Sequence, residues 1–286
     1  MLRAKKISTN RNNKSVDYFD GKALYGDKFS FSEIKEWYKD EEEGYAELGA
    51  KDSNRYEYVY HALNVLHGFK HVPDRSFIHA LGFGSAYGDE FKPIADRIEH
   101  LTIIDPSETF VRDVVHGISA TYVKPEIAGA LPFPDDTFDL IFCLGVLHHI
   151  PNVTDVVKEL YRCLQTDGFM LVREPVVSMG DWNNARPGLT RRERGIPLQL
   201  FRELVNRVGF TVVKESLCVF PLIPRLSQIF SKAAYNSNLI TRVDYIFSRL
   251  LRWNLQYHAS SRLRKMRPTN VYYVLTKKRL LASRST

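Results

Sequence analysis

The chain has 286 residues, of which 44% are apolar and 26% charged, a composition typical of a soluble globular protein. No apolar run reaches the roughly 18 residues that a transmembrane helix needs, and the basic stretch 1–14 has no apolar core. We therefore expect neither a membrane span nor a secretory signal. The three cysteines, Cys143, Cys163 and Cys218, lack metal-ligand spacing and are expected to be core thiols in a reducing compartment.

The net charge of +7 is unevenly distributed along the chain. Residues 221–286 hold 13 lysines and arginines and a single acid, Asp244, whereas residues 1–220 hold 27 basic and 32 acidic residues. This asymmetry predicts an acidic neighbour for the C-terminal end of the protein.

Residues 1–72 are predicted to form a polar arm followed by a helical extension. Ser30 and Glu33 have the spacing of a capping box, which begins a helix that runs through Trp37 and Tyr38. Apolar and aromatic residues recur at helical spacing over residues 56–69 and predict a second helix.

A strand that ends in glycines organises the central part of the chain. Residues 77–81 are mostly apolar and lead into Gly82 and Gly84, after which residues 89–98 predict a helix. Because glycine has no Cβ, such a turn lets main-chain N–H groups approach a ligand. A second apolar strand ends in Asp105, 23 residues after Gly82. This is close to the roughly 20-residue offset at which an acid binds ribose in mononucleotide-binding α/β units.

Strands and helices then alternate as they do in an open, doubly wound sheet. We predict a helix over 107–115, strands over 120–123, 139–144 and 169–172, and a helix from Asn152 or Thr154 to Asp167-Gly168. The strand 139–144 is almost wholly apolar, which is typical of a parallel strand covered on both faces. Right-handed crossovers would place a ligand beyond the carboxyl ends of the first, second and fourth strands.

The last part of the chain is predicted to return to the same sheet. A helix over 198–208 and a strand over 211–219 precede a helical insertion and a final strand at 270–276, which is expected to pair antiparallel with 211–219 at one sheet edge. The expected divisions are the extension (1–72), an α/β core (73–220), a basic helical insertion (221–268), and a final edge strand with a basic tail (269–286).

The order of these pieces resembles the class I S-adenosylmethionine (SAM)-dependent methyltransferases, in particular the type 11/12-like domains. The resemblance spans about residues 76–215, and its motifs are Leu131-Pro-Phe133, Phe138-Asp-Leu140, Leu147-His-His-Ile150 and Asp167-Gly168. It implies SAM as the cofactor. It also implies a Rossmann-like, doubly wound and mostly parallel sheet of seven strands, the last of them antiparallel.

The resemblance assigns cofactor contacts to five positions of this chain. Gly82 and Gly84 would face the methionine part of SAM, and Asp105 would bind the ribose. Ala128 would lie by the adenine, and Leu144 would line the inner side of the cofactor. No metal is expected, because in-line methyl transfer depends mainly on positioning the reactants.

Three positions depart from the family pattern. Ala80 stands where an acid usually precedes the glycines, Ala86 replaces the third glycine, and Ile127 stands where an acid commonly meets the adenine. These departures keep open a non-catalytic scaffold with the same fold. A nicotinamide site is disfavoured, because Tyr87 stands at a required glycine and its ring would obstruct the pyrophosphate.

A proton acceptor is expected just beyond the fourth strand. A general base accelerates reactions of this kind by about 10²–10⁴-fold, and an imidazole can be neutral at cytoplasmic pH. His149 is the candidate base, and His148 and Glu174 are further catalytic candidates. The alternative is that either histidine only hydrogen-bonds the following turn.

The loop after the fifth strand contains the candidate acceptor-binding residues. Trp182, next to Asp181, could stack on a sugar, and Arg191 and Arg192 could bind a phosphate or carboxylate, although a solvated loop is the alternative. These residues favour O-methylation of a carbohydrate hydroxyl on a nucleotide- or lipid-linked glycan. An isoprenoid quinone or another lipid-like acceptor is the competing hypothesis.

Residues 221–268 have three interpretations: a helical cover over the substrate pocket, a helix pair resting on an anionic membrane, or a nucleic-acid-binding segment. Nucleic acid is least favoured, because no recognised binding motif is present and the rest of the chain is acidic. We therefore expect a cytoplasmic enzyme, either free or peripheral at the inner face of the membrane. Its oligomeric state is left open.

Overall fold

The computed structural model describes residues 19–47, 51–52, 56–180, 186–225 and 233–278, and one eight-stranded sheet lies at its centre. The strands are Phe77–Phe83 (β1), Ile98–Ile104 (β2), Val114–Val115 (β3), Ile118–Val123 (β4), Phe138–Leu144 (β5), Leu164–Pro175 (β6), Thr211–Cys218 (β7) and Asn270–Thr276 (β8). Their spatial order is β3-β4-β2-β1-β5-β6-β8-β7. From β4 to β6 the strands run parallel, and β8 lies antiparallel between β6 and β7.

Helices pack on both faces of this sheet. The α-helices are Phe31–Glu41 (α1), His61–His67 (α2), Val153–Cys163 (α3), Leu198–Val208 (α4) and Asn238–Leu250 (α5). Short 3₁₀ segments are Phe69–His71, Asp89–Arg97, Glu108–Phe110, Leu147–His149, Ala234–Asn236 and Arg252–Asn254. The core has two layers, because α3 and α4 contribute side chains to one apolar cluster, whereas α2, α5 and the Asp89–Arg97 segment contribute to the other. The predicted doubly wound, mostly parallel sheet is therefore confirmed.

Local sequence signals locate several elements correctly. The helix Leu198–Val208 and the strand Asn270–Thr276 have the predicted bounds. The main-chain N–H of Ser30 donates to the Glu33 carboxylate at 2.8 Å, which is half of the predicted capping box of α1. All three cysteines are fully buried, as expected of core thiols.

The strand count and one helix prediction are wrong. Over 107–115 the chain forms only the short Glu108–Phe110 turn, followed by the extra strand β3, so the sheet has eight strands instead of seven. His116 and Gly117 both have positive φ, at 48° and 86°, and reverse the chain into a hairpin with β4. Valine at 111, 114 and 115 also favours extended backbone over helix.

Two element ends differ from the prediction as well. The helix α3 ends at Cys163, and the chain enters β6 before it reaches Asp167-Gly168. The last strand β8 is not an edge strand, because it pairs with β6 on one side and β7 on the other, so that β7 forms the edge. Among the described residues no helix is long and apolar enough to cross a membrane.

Candidate active site

A cavity of about 490 Å³ opens at the edge of the sheet where β1, β2 and β5 end. The predicted topology places a ligand there, and the volume lies within the roughly 300–1,000 Å³ of small-molecule sites. Gly84 after β1, Asp105 after β2 and Gly145 after β5 line one side. Glu41 and Tyr45 of the N-terminal extension line another, so the extension is part of the site.

Of the two glycines in the turn after β1, Gly84 lines the cavity and Gly82 does not. Gly84 has a φ of +66°, and a Cβ there would lie 2.5 Å from the side chain of Val146. Gly82 is absent from the lining. A Cβ there would lie 2.5 Å from Ser85 Oγ and 2.9 Å from the ring of Phe91, so packing within the turn explains this glycine. The structure therefore does not place Gly82 against a cofactor.

Asp105 lines the cavity and also holds the glycine turn in place. One carboxylate oxygen accepts the main-chain N–H of Ala86 at 2.9 Å, and the other accepts that of Ser107 at 3.1 Å. Burial raises the pKa of Asp105 to about 6, against the opposing effect of these two hydrogen bonds. Ala86 has a φ of +45°, so it keeps the left-handed backbone of the glycine that it replaces.

A smaller, mostly apolar pocket of about 110 Å³ adjoins the cavity at Gly84. Ile127 and Gly129 form part of its wall. Ala128 lies between them but does not line it, and its carbonyl accepts a hydrogen bond from the Asn152 side chain at 2.8 Å. The structure therefore does not place Ala128 in this pocket, and its contact with the adenine stays a prediction.

Glu174 organises the turn that carries the two histidines. Its carboxylate is fully buried and accepts the main-chain N–H groups of Val146 and Leu147, both at 2.8 Å. A second oxygen lies 2.8 Å from Nδ1 of His148. Because a carboxylate accepts, we assign the proton to Nδ1, which leaves Nε2 of His148 as an acceptor without a hydrogen bond to any described residue. His148 lines the cavity and Glu174 does not, so Glu174 is a positioning residue.

The two histidines differ in how readily they take a proton. Burial lowers the pKa of His148, and the neighbouring His149 lowers it further. Burial also acts to lower the pKa of His149, but its hydrogen bond to Glu41 at 2.8 Å and the charges of Glu193 and Glu41 outweigh burial and raise that pKa. His148 is therefore the neutral imidazole of the pair, and His149 the one that favours the charged form.

The same histidines are close enough to an acid to resemble a cation site. Ligand atoms of His148, His149 and Glu193 lie within 4.8 Å of one another. Glu193 already accepts hydrogen bonds from the N–H and hydroxyl of Thr190, and Glu41 already pairs with His149. Glu193 and Nδ1 of His149 therefore have partners within the protein, and the absence of a metal stays a prediction.

Two buried charged residues that the sequence did not mark out also line the cavity. Glu90 follows the glycine turn, and burial raises its pKa to about 7. Arg173 lies near the end of β6, with its guanidinium carbon 3.8 Å from the ring centroid of Tyr60 and a hydrogen bond to the Asn64 side chain at 3.3 Å. A charge inside an apolar strand is the signal that could have identified Arg173. Glu90 has no such signal, because an acid near a helix start is common.

The arginines of the loop after β6 hold other parts of the protein. Arg191 and Arg192 donate to the carboxylate of Asp40 on α1, at 3.0 and 2.7 Å, and neither lines the cavity. Arg194 is buried and donates to the main-chain carbonyls of His148 at 3.0 Å and Ile150 at 2.7 Å. The structure thus uses these arginines to fix α1 and the histidine turn, and it does not place Arg191 or Arg192 against a substrate.

Other predicted positions have mixed outcomes. Leu144 lines the cavity as expected, whereas Asp181 and Trp182 lie outside the described residues. None of the described residues of 221–268 lines the cavity, because α5 packs against α2 and β7 instead. The interpretation of this segment as a cover over the pocket is therefore wrong for its described part.

Comparison with known proteins agrees with this geometry. Residues 81–172 match the family model described as a methyltransferase domain. An uncharacterized methyltransferase of Bacillus subtilis is 35% identical over 71 residues, which are 24% of this chain and 27% of that protein. A demethylmenaquinone methyltransferase of Roseiflexus castenholzii is 25% identical over 128 residues, which are 43% of this chain and 50% of that protein.

A likeness in three dimensions extends further along the chain. The solved structure of a SAM-dependent methyltransferase from Thermotoga maritima has a TM-score of 0.50 and 16% identity, and the likeness covers 84% of this chain and 100% of that one. At this identity the comparison shows the fold. The chain covers only 27% of the length of the Bacillus subtilis protein and 50% of the length of the Roseiflexus castenholzii protein.

Proposed function

We propose that this chain, whose residues 81–172 match a methyltransferase domain, is a class I SAM-dependent methyltransferase that transfers the methyl group of SAM to an oxygen of a small-molecule acceptor. The proposal depends on one observation. A single cavity brings together the turn at Gly84, the carboxylate of Asp105 and the imidazole of His148. This supports a cofactor bound at Gly84 and Asp105 beside an imidazole that would accept a proton.

The groups in the cavity fit the chemical parts of SAM. Asp105 would accept hydrogen bonds from the ribose hydroxyls, and the apolar pocket at Ile127 would take the adenine. Glu90 is a buried acid that lines the cavity, so it would pair with the ammonium of the methionine part in place of the acid missing at Ala80. Arg173 would bind the carboxylate of the same part.

His148 is the group that we assign as general base. SAM supplies a methyl carbon bonded to a cationic sulfur. With SAM bound, the new C–O bond would form as the C–S bond breaks and leaves its electron pair on sulfur, and Nε2 of His148 would accept the hydroxyl proton. Glu174 keeps the other ring nitrogen protonated, so that Nε2 remains an acceptor. We prefer His148 to His149 because the raised pKa of His149 favours the form that already carries a proton, whereas the lowered pKa of His148 favours the neutral form that can accept one.

For the acceptor we propose a carbohydrate hydroxyl on a nucleotide- or lipid-linked glycan. Its support is the remainder of the lining, where Tyr45, Tyr56 and Tyr58 stand with Glu57 and Asn270. Aromatic rings pack on the apolar faces of sugars, and the polar groups can hydrogen-bond their hydroxyls.

A lipid-like acceptor such as an isoprenoid quinone is the second candidate. Two observations favour it. One of the curated relatives is a demethylmenaquinone methyltransferase. In addition, the C-terminal segment exposes an apolar and basic surface that suits an anionic membrane, where lipid-like acceptors are found.

A transfer assay separates the two acceptor classes. The purified protein is incubated with SAM labelled in its methyl group and with separate glycan and lipid fractions of a cell extract. Label on a sugar is expected, in the glycan fraction or on a lipid-linked glycan, and label only on lipids that carry no sugar would replace the first candidate by the second.

Calorimetry tests the scaffold alternative that the departures at Ala80, Ala86 and Ile127 keep open. Heat of binding is expected with SAM and with its demethylated product. No heat with either ligand at high concentration would refute the proposal of a SAM-dependent enzyme.

A further inference from the structure

The helix α5 buries a strip of polar side chains and exposes a strip of apolar ones, while Ile240 and Val243 pack against the core. The buried side chains are Thr241, Asp244 and Ser248, each with no exposed surface. The outward apolar side chains are Leu239, Ile246 and Leu250, with exposed fractions of 73%, 54% and 65%. Their spacing of seven and four residues puts them on one face of the helix. This is the reverse of a helix that only covers the core of a soluble protein.

A carboxylate explains why the polar side faces inward. Asp244 accepts the main-chain N–H groups of Val219 and Phe220 at 3.0 and 2.6 Å, and the hydroxyl of Tyr235 at 2.9 Å. These bonds attach α5 to the end of β7. Asp244 is also the single acid of residues 221–286, so the outer side of this segment carries no negative charge from its own residues.

The turns after α5 extend the exposed side. Trp253 is 77% exposed and Leu263 is 83% exposed. The Asn254 side chain donates to the carbonyls of Leu263 and Met266, both at 2.9 Å, which holds the second turn beside the end of the helix. The exposed basic residues of α5 and these turns are Arg242, Arg249, Arg252, Arg262, Arg264 and Lys265. We use the term basic-apolar face for these basic residues and the exposed Leu239, Ile246, Leu250, Trp253 and Leu263.

We infer that the basic-apolar face binds the surface of a membrane that contains anionic lipid. Leucine, isoleucine and tryptophan side chains partition into the boundary between headgroups and acyl chains, while arginines reach back to the phosphates. The large aliphatic side chains distinguish this face from a nucleic-acid surface, which reads phosphates and bases with polar groups. With 13 residues in α5, and no described helix able to cross a membrane, the contact is peripheral. The inference does not depend on the methyl-transfer proposal.

Vesicle sedimentation of the full-length protein tests this contact. The protein is expected to pellet with vesicles of phosphatidylcholine and phosphatidylglycerol at low salt, and much less with phosphatidylcholine alone. The double variant Arg242→Gln/Arg249→Gln should bind about fivefold more weakly for each arginine removed. The double variant Leu250→Ser/Trp253→Ser should bind at least about tenfold more weakly, because two apolar anchors are lost.

Matched controls come from exposed residues elsewhere on the protein. Val111→Ser and Arg207→Gln remove comparable exposed side chains and should bind vesicles as the wild type does. Wild-type protein that stays in the supernatant, or that pellets equally with neutral vesicles, would overturn the inference. So would double variants that bind normally. A wild-type dimer in light scattering that Leu250→Ser/Trp253→Ser converts to a monomer would assign the face to a second copy of this chain instead.

Discussion

Replacing His148 by alanine should remove the proton acceptor and leave the turn that carries it in place. Glu174 would still accept the main-chain N–H groups of Val146 and Leu147, each now at 2.8 Å. The loss of turnover would therefore report on the imidazole. A general base contributes about 10²–10⁴-fold. At about 1.36 kcal/mol for each factor of ten, this is about 2.7–5.4 kcal/mol of transition-state stabilisation. We expect kcat/KM to fall by that factor, with SAM affinity changed by no more than a few-fold.

The assay compares His148→Ala with the matched variant His149→Ala over a range of pH, after thermal melting has established that both variants fold. The pKa of His148 is lowered, so wild-type activity should fall only when the pH drops below the ordinary histidine value of about 6.5. An acid limb centred above that value would indicate His149, whose pKa is raised. Activity of His148→Ala within a few-fold of wild type would refute the assignment outright.

Three further results are expected. Glu90→Gln should weaken SAM binding in calorimetry by about tenfold or more. The affinity of the wild-type protein for SAM should rise as the pH passes about 7, because Glu90 then ionises. An affinity that does not change with pH would count against the contact between Glu90 and the ammonium. In denaturant melts, Gly117→Ala should lower the free energy of unfolding by about 1–2 kcal/mol, because Gly117 has a positive φ. Gly84→Ala should lower it further, because Gly84 also has a positive φ and its new Cβ would meet Val146. Equal losses for the two variants would contradict this reasoning. A chelator should leave methyl transfer unchanged, whereas a loss that divalent cations restore would assign a metal to the histidine pair.

The main features of the site could be predicted because parallel strands end at one edge of a sheet. Once the strands β1, β2 and β5 are recognised by their apolar runs, Gly84, Asp105 and His148 must lie near one another, whatever else the chain does. The cavity lining contains all three. These strands could be located because their positions depend on local apolar patterns, which can be read directly from the sequence.

Contacts between distant segments could not be predicted in this way. Arg191 and Arg192 have the composition of a substrate loop, and only the position of Asp40 on α1, some 150 residues earlier in the chain, decides that they form ion pairs. Glu90 and Arg173 have neighbours typical of a helix start and a strand. Their burial beside the cavity depends on how α1, α2 and β6 assemble.

The helix α5 illustrates which properties the sequence pattern predicts and which depend on tertiary contacts. Its periodicity predicts a helix, because spacing along the chain sets which side chains share a face. Which face turns inward is a different question, since hydrophobicity alone would bury Leu239, Ile246 and Leu250. The N–H groups at the end of β7 and the hydroxyl of Tyr235 bind Asp244 and turn the polar face inward. Patterns within one segment thus settle most of the elements and their order. The environment of each side chain is settled by partners that only the folded chain brings within hydrogen-bonding distance.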